Sequence, residues 1–336
     1  MRAEPFGTTA QGETVHRVEL RGGGLRAAVL TWGAVLQDLR LEGHAPPLVL
    51  GFADFAPYPA ESPYFGATVA RVANRIRDGR AEIGGRHCQL DRNEHGRHHL
   101  HGGAGGAGRR VWKLRWQEPD AVCLSILLED GEMGYPGRLA LSVTIALTAG
   151  ATLALRYEAQ TDSPTLCAPA HHSYFTLDDS GHILDHRLRV AARFYLPVDD
   201  ELIPTGEVAP VAGTGFDFRQ ARPVGEAAAL RGRLDHNFCL SRARRGLRPV
   251  AWLDSPRSGL AMEVATTEPG LQVYDGASVA VASPGLDGRP IGAHAGLALE
   301  PQNWPDANHH ASFPQAALRP GETYRQESRF RFRRSG

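Results

Sequence analysis

Between residues 138 and 160 the chain reads RLALSVTIALTAGATLALRYEAQ, and apolar and polar positions alternate. Leu139, Leu141, Val143, Ile145 and Leu147 share one parity, while Ala140, Ser142, Thr144, Ala146 and Thr148 take the other. Successive strand side chains point to opposite faces, so this period predicts a half-buried strand, a turn at TAGA and a second strand carrying Leu153, Leu155 and Tyr157 on one face. YRQESRFRFRR repeats the pattern near the end of the chain, with Phe330 and Phe332 set between Arg329, Arg331 and Arg333. One face is predicted buried and the other wet. Further candidate strands are LRAAVLTWGAVLQDLRL, AVCLSILLE, HRLRVAARFYLPV, LAMEVATT and LQVYDG, punctuated by the turn-forming runs RGGG, GGAGGAG, EPG and SPGLDGRP. Only RQARPVGEAAALRGR suggests a short helix. The pattern predicts an all-β chain, a large antiparallel β-sandwich formed as one domain over residues 1–336.

Composition narrows the partners. Apolar residues make up 42% of the chain, an ordinary globular share, and 37 basic residues balance 37 acidic ones. Without a net field, neither nucleic acid nor a membrane surface is an expected partner, and a neutral polyol needs no such field. No apolar core of a signal peptide opens the sequence and no run approaches a membrane span, so a cytoplasmic protein is expected. Cys88, Cys123, Cys167 and Cys239 lie far apart, with neither zinc-finger spacing nor a disulfide framework.

Candidate chemistry sits in five polar clusters. FGATVARVANRIRDGR holds Asn74 and Arg75; RNEHGRHHLHGG holds His101; HHSYFTL holds His172 and Tyr174; LDHNFCL holds Asp235; LALEPQNWPDANHH holds Glu300. Each also has a structural reading: Arg75 as a solvated charge, His101 as a loop cap, His172 as a hydrogen-bonded core histidine, Asp235 as a turn residue. Glu300 stands apart, because a carboxylate arriving at the end of an apolar run is costly to bury unless paired. Adjacent histidines on a strand face opposite ways, so His98–His99, His171–His172 and His309–His310 each offer one ligand at most, and no metal is expected. GGAGGAG lacks both a βαβ setting and the lysine of a phosphate loop, so no nucleotide cofactor is expected either. An imidazole and a carboxyl held against a neutral substrate can exchange protons near pH 7 with no cofactor.

FGATVARVANRI, LHGG, HHSYFTL, DHNF, PGLQVYDG and LEPQNWPDA occur in an order and spacing that resemble the aldose 1-epimerase (galactose mutarotase) family. The resemblance implies a galactose mutarotase-like β-sandwich that interconverts the α and β anomers of a free monosaccharide. It implies that His172 is the general acid, protonated in the free enzyme, and Glu300 the general base, on opposite sides of the sugar. It also implies that Asn74, Arg75, His101, Tyr174, Asp235 and Gln272 contact the sugar. His98, His171 and Thr176 stand where the family commonly has Asn, which leaves hexoses, pentoses, 6-deoxyhexoses and uronic acids all open. An extra cation at His98 or His171 would suit a carboxylate-bearing sugar. Three other readings compete. A non-catalytic sugar-binding or regulatory protein on the same scaffold should have lost His172 or Glu300. A hexose-6-phosphate 1-epimerase wants an Arg/Lys cluster that Arg75 and Arg77 do not make. A glycoside hydrolase wants a second carboxylate, for which Asp235 is the candidate.

Overall fold

A computed structural model describes residues 3–231 and 234–334. Its alternating segments form the strands expected of them. Leu139–Thr148 and Thr152–Thr161 make an uninterrupted antiparallel hairpin, and the five apolar positions of the first strand are all buried. They belong to a nine-stranded sheet ordered Lys113–Gln117, Ala121–Leu128, Leu139–Thr148, Thr152–Thr161, Tyr324–Arg334, Leu260–Thr266, Arg248–Ser255, Arg187–Val190 and Arg222–Pro223. The C-terminal strand Tyr324–Arg334 thus closes the middle of the sheet, with Phe330 opposite Leu153 on one side and Val264 on the other.

A six-stranded sheet runs Tyr174–Phe175, Leu297–Gln302, Gly270–Tyr274, Asp235–Cys239, Phe194–Tyr195 and Ala209–Pro210. Phe175, Phe238, Leu271, Val273, Leu297 and Leu299 from this sheet share one core with Leu141, Val143, Leu155, Val264 and Phe330 of the larger sheet. That shared apolar layer is what makes the fold a sandwich. Burying each such side chain fully contributes about 1.5–3 kcal/mol, which is why parity along these strands is so strictly kept. A four-stranded sheet, Glu4–Thr8, Thr14–Gly22, Leu25–Leu30 and Leu36–Leu41, packs on the same core.

Two predicted strands are each divided. Residues 25–41 fold back on themselves, Ala28 opposite Asp38, around a turn holding Gly33 (φ +61°) and Ala34 (φ +47°). Alternation could not show this turn, because Thr31-Trp32-Gly33-Ala34 is as apolar as its flanks. Residues 186–198 split between sheets: Arg187–Val190 lies in the nine-stranded sheet and Phe194–Tyr195 in the six-stranded one. The suggested helix forms over Val224–Arg231, and the last two residues of that predicted stretch lie outside the described residues. Among the described residues no helix is long and apolar enough to cross a membrane. The four cysteines are unpaired, three of them buried.

Candidate active site

Glu300 lies in Leu297–Gln302, every residue of which is buried, between Gly270–Tyr274 and Tyr174–Phe175. Gln272 is its direct cross-strand neighbour, and Asn237 is in turn opposite Gln272. His172 ends the short strand Ala170–His172, which pairs with Ala67–Val69. Its Nε2 comes 3.5 Å from Glu300 Oε2, with both side chains less than a tenth exposed. The two adjacent histidines face opposite ways, as strand geometry requires. His172 packs on Tyr174 at 5.2 Å between ring centroids, while His171 turns the other way, bonds Ser173 Oγ at 2.7 Å and packs on Phe330.

The remaining predicted residues surround this pair. His101 meets the His172 ring at 5.1 Å, edge to face. Its Nδ1 accepts the Asn74 N–H, so the ring carries its proton on Nε2. Both residues have left-handed backbone, Asn74 at φ +65° and His101 at φ +54°. Gly102 follows at φ +87°, where any Cβ would overlap the Ala70 carbonyl oxygen; the LHGG turn needs glycine there. Arg75 is not a solvated charge, for Glu94 holds it in a largely buried ion pair at 2.7 Å. Gln272 Nε2 donates to Asp235 at 2.6 Å, leaving the buried Gln272 Oε1 without a protein partner. The Tyr174 hydroxyl donates to the Pro63 carbonyl at 3.2 Å, so Tyr174 contributes a ring wall.

Burial sets the proton balance. It pushes His172 down to about 4 and Glu300 well above the usual carboxyl range, with Asp235 raising Glu300 further and Arg75 opposing. His101 is held well below 6.5 by burial and the neighbouring His172. Burial thus disfavours the imidazolium expected of His172 in the free protein and favours the protonated form of Glu300. The pair still holds one transferable proton, and a neutral pair and an ion pair differ only by its transfer. The spacing brings a second correction. At 3.5 Å the groups stand side by side, too close for a sugar to lie between them. This arrangement suits a hemiacetal, whose two oxygens sit on one carbon: one group serves the hydroxyl and the other the ring oxygen.

Of the two histidines suggested as an extra cation, His171 is not one. Burial drives His171 down to about 3, and it faces Ser173 and Phe330. His98 accepts the Asp78 N–H and turns its other nitrogen to Glu201, 3.4 Å away. Because the folded pKa of His171 lies below the unfolded value of 6.5, its contribution to stability is complete above pH 6.5 and is lost as the pH falls toward 3. His171→Asn should flatten the dependence of stability on pH between 6.5 and 4 by up to about 1.4 kcal/mol per pH unit. Urea midpoints across that range check this; an unchanged slope would refute the assignment.

Four neighbours escaped sequence reasoning. The Tyr64 ring packs at a tilt against both His101 (4.8 Å) and His172 (6.0 Å), and the exposed Arg109 lies over its face at 5.2 Å. Tyr274 packs on Tyr174, and Glu94 grips Arg75. Tyr64 immediately precedes the FGATVARVANRI block, and Glu94 lies inside RNEHGRHHLHGG, but nothing in their spacing gives their partners. A concavity of about 670 Å³ lies elsewhere, on the outer face of the nine-stranded sheet around Lys113, Ser142 and Arg325. Its lining lacks a buried acid–base pair. No group of three or more metal-ligating side chains is assembled among the described residues.

Fold and site together describe an antiparallel β-sandwich that buries one imidazole beside one carboxyl. Comparison with known proteins gives the family: residues 16–331 match aldose 1-epimerase, and the chain belongs to that family. A galactose mutarotase from Mus musculus is 40% identical over 329 residues, covering 96% of this chain and 95% of that protein. Among solved structures, an aldose epimerase homologue from C. elegans superposes with a TM-score of 0.89 at 30% identity, covering 96% of this chain and all of that one. The galactose 1-epimerase of Lactobacillus acidophilus gives 0.86 at 30% identity, covering the whole of this chain and 99% of that one. The chain is accordingly a mutarotase, an isomerase acting on a free monosaccharide.

Proposed function

We propose that His172 and Glu300 open and close the sugar ring by exchanging one proton, in a cytoplasmic protein that acts as one unit over residues 1–336 without a cofactor. The observation that carries this reading is the buried 3.5 Å approach of His172 Nε2 to Glu300 Oε2. A bound sugar brings hydroxyls beside Glu300, and Arg75 already favours its charged form. Proton transfer to His172 then leaves a carboxylate base next to an imidazolium acid. Glu300 takes the proton of the C1 hydroxyl while His172 protonates O5. The C1–O5 bond breaks, the C1–C2 bond of the free aldehyde rotates by half a turn, and closure reverses the two roles. Asn74, Arg75, His101, Asp235 and Gln272 hold the hydroxyls, and Tyr64 and Tyr174 form the walls.

D-Galactose is the first sugar to test, since the relatives are named for it. Polarimetry of freshly dissolved α-D-galactose should show accelerated relaxation to the equilibrium anomer mixture without loss of reducing sugar. Binding without acceleration would favour a sugar-binding protein instead.

A further inference from the structure

Arg75 is held in a way that bears on which sugars the site accepts. Its Nε reaches both Glu94 oxygens, at 3.0 and 2.8 Å, and Nη2 reaches Oε1 at 2.7 Å. This side-on grip occupies one edge of the guanidinium and leaves Nη1, with its two N–H groups, free of any protein acceptor among the described residues. The pair is enclosed, with side-chain exposures of 13% and 11%. Glu94 is itself rigidly placed. Its N–H donates to the His98 carbonyl, and its own carbonyl receives the N–H groups of Arg97 and His98. Beside it, Asn93 clips Leu100 by two hydrogen bonds at 2.9 Å, and Leu100 is the strand partner of Arg75.

We propose, on the reading of the site given above, that Glu94 is a positioning residue with two effects: it aims the Nη1 edge of Arg75 at the sugar, and it cancels the Arg75 charge so that the site selects uncharged aldoses over uronic acids. The surrounding charges agree with this. Asp235 adds a negative charge near Glu300, and Glu201 lies 3.4 Å from His98. Arg109, outside Tyr64, has no carboxylate partner among the described residues, but it is exposed, and salt and water screen it. A sugar carboxylate would lose its hydration without meeting an uncompensated buried cation.

The test compares kcat/KM for D-galactose and D-galacturonate in the wild-type protein, Glu94→Gln and Glu94→Asp. The wild type should favour galactose by more than about tenfold. Glu94→Gln keeps the shape and one acceptor oxygen but exposes the Arg75 charge. It should raise KM for galactose about tenfold with little change in kcat, and raise the galacturonate-to-galactose ratio of kcat/KM by about tenfold or more. Glu94→Asp keeps the charge but not the reach, so KM should rise while the ratio stays low. A purely structural role would lower activity on both sugars equally and leave the ratio alone. An unchanged ratio in Glu94→Gln, or a wild type that uses both sugars equally, overturns the proposal while leaving ring opening by His172 and Glu300 intact. A wild type inactive on every aldose overturns both.

Discussion

Glu300→Gln is expected to lower kcat for anomerisation by about 10²–10⁴-fold, the range that one positioned acid–base group supplies, while KM changes by no more than about threefold. The amide keeps the size and one acceptor of the carboxyl but can neither take nor give the proton. Stability should hold, because burial disfavours the charged form of Glu300 and glutamine reproduces the neutral one. His172→Asn should cost a similar factor. Since one proton passes between the two groups, the double variant should be little worse than the poorer single variant. Initial rates by polarimetry, with thermal unfolding as a control on folding, decide the matter. Turnover of Glu300→Gln within about tenfold of wild type would remove Glu300 from the chemistry.

The pH profile is the second large effect, and its sign follows from burial. In the free enzyme the active pair carries one transferable proton. Acid adds another only when His172 takes it, and that group has been pushed down to about 4. Alkali removes the one proton only above the raised value of Glu300. kcat/KM should therefore fall on the acid side only as pH 4 is approached, and on the alkaline side only above the raised value of Glu300. An independent imidazolium acid at its ordinary pKa near 6.5 would instead lose about tenfold between pH 5.5 and 7.5. Such a loss would show that His172 titrates as an exposed imidazole and that the pair does not share its proton.

Legibility in the sequence was uneven for physical reasons. Leu139 to Tyr157 and Phe330 to Phe332 read correctly because the pleat sends neighbouring side chains to opposite faces, a rule confined to a few residues. Division of residues 25–41 was hidden because an apolar turn buried under other strands carries no polar marker. Tyr174 lies against His172, but its hydroxyl belongs to Pro63, a partner distant in sequence.

From the sequence by itself came the strands, their buried faces, the balanced charge and the ordered blocks that carry His172, Glu300, Arg75 and His101. These are properties of a residue and its near neighbours. Only the tertiary structure decided that Glu94 grips Arg75, that Tyr64 covers His101 and His172, that His171 is a neutral core residue, and that burial favours the uncharged forms of His172 and Glu300. Which strands become neighbours determines which charges meet, and the depth at which they meet determines whether water is left to stabilise an ion; neither quantity exists until the sheets have packed.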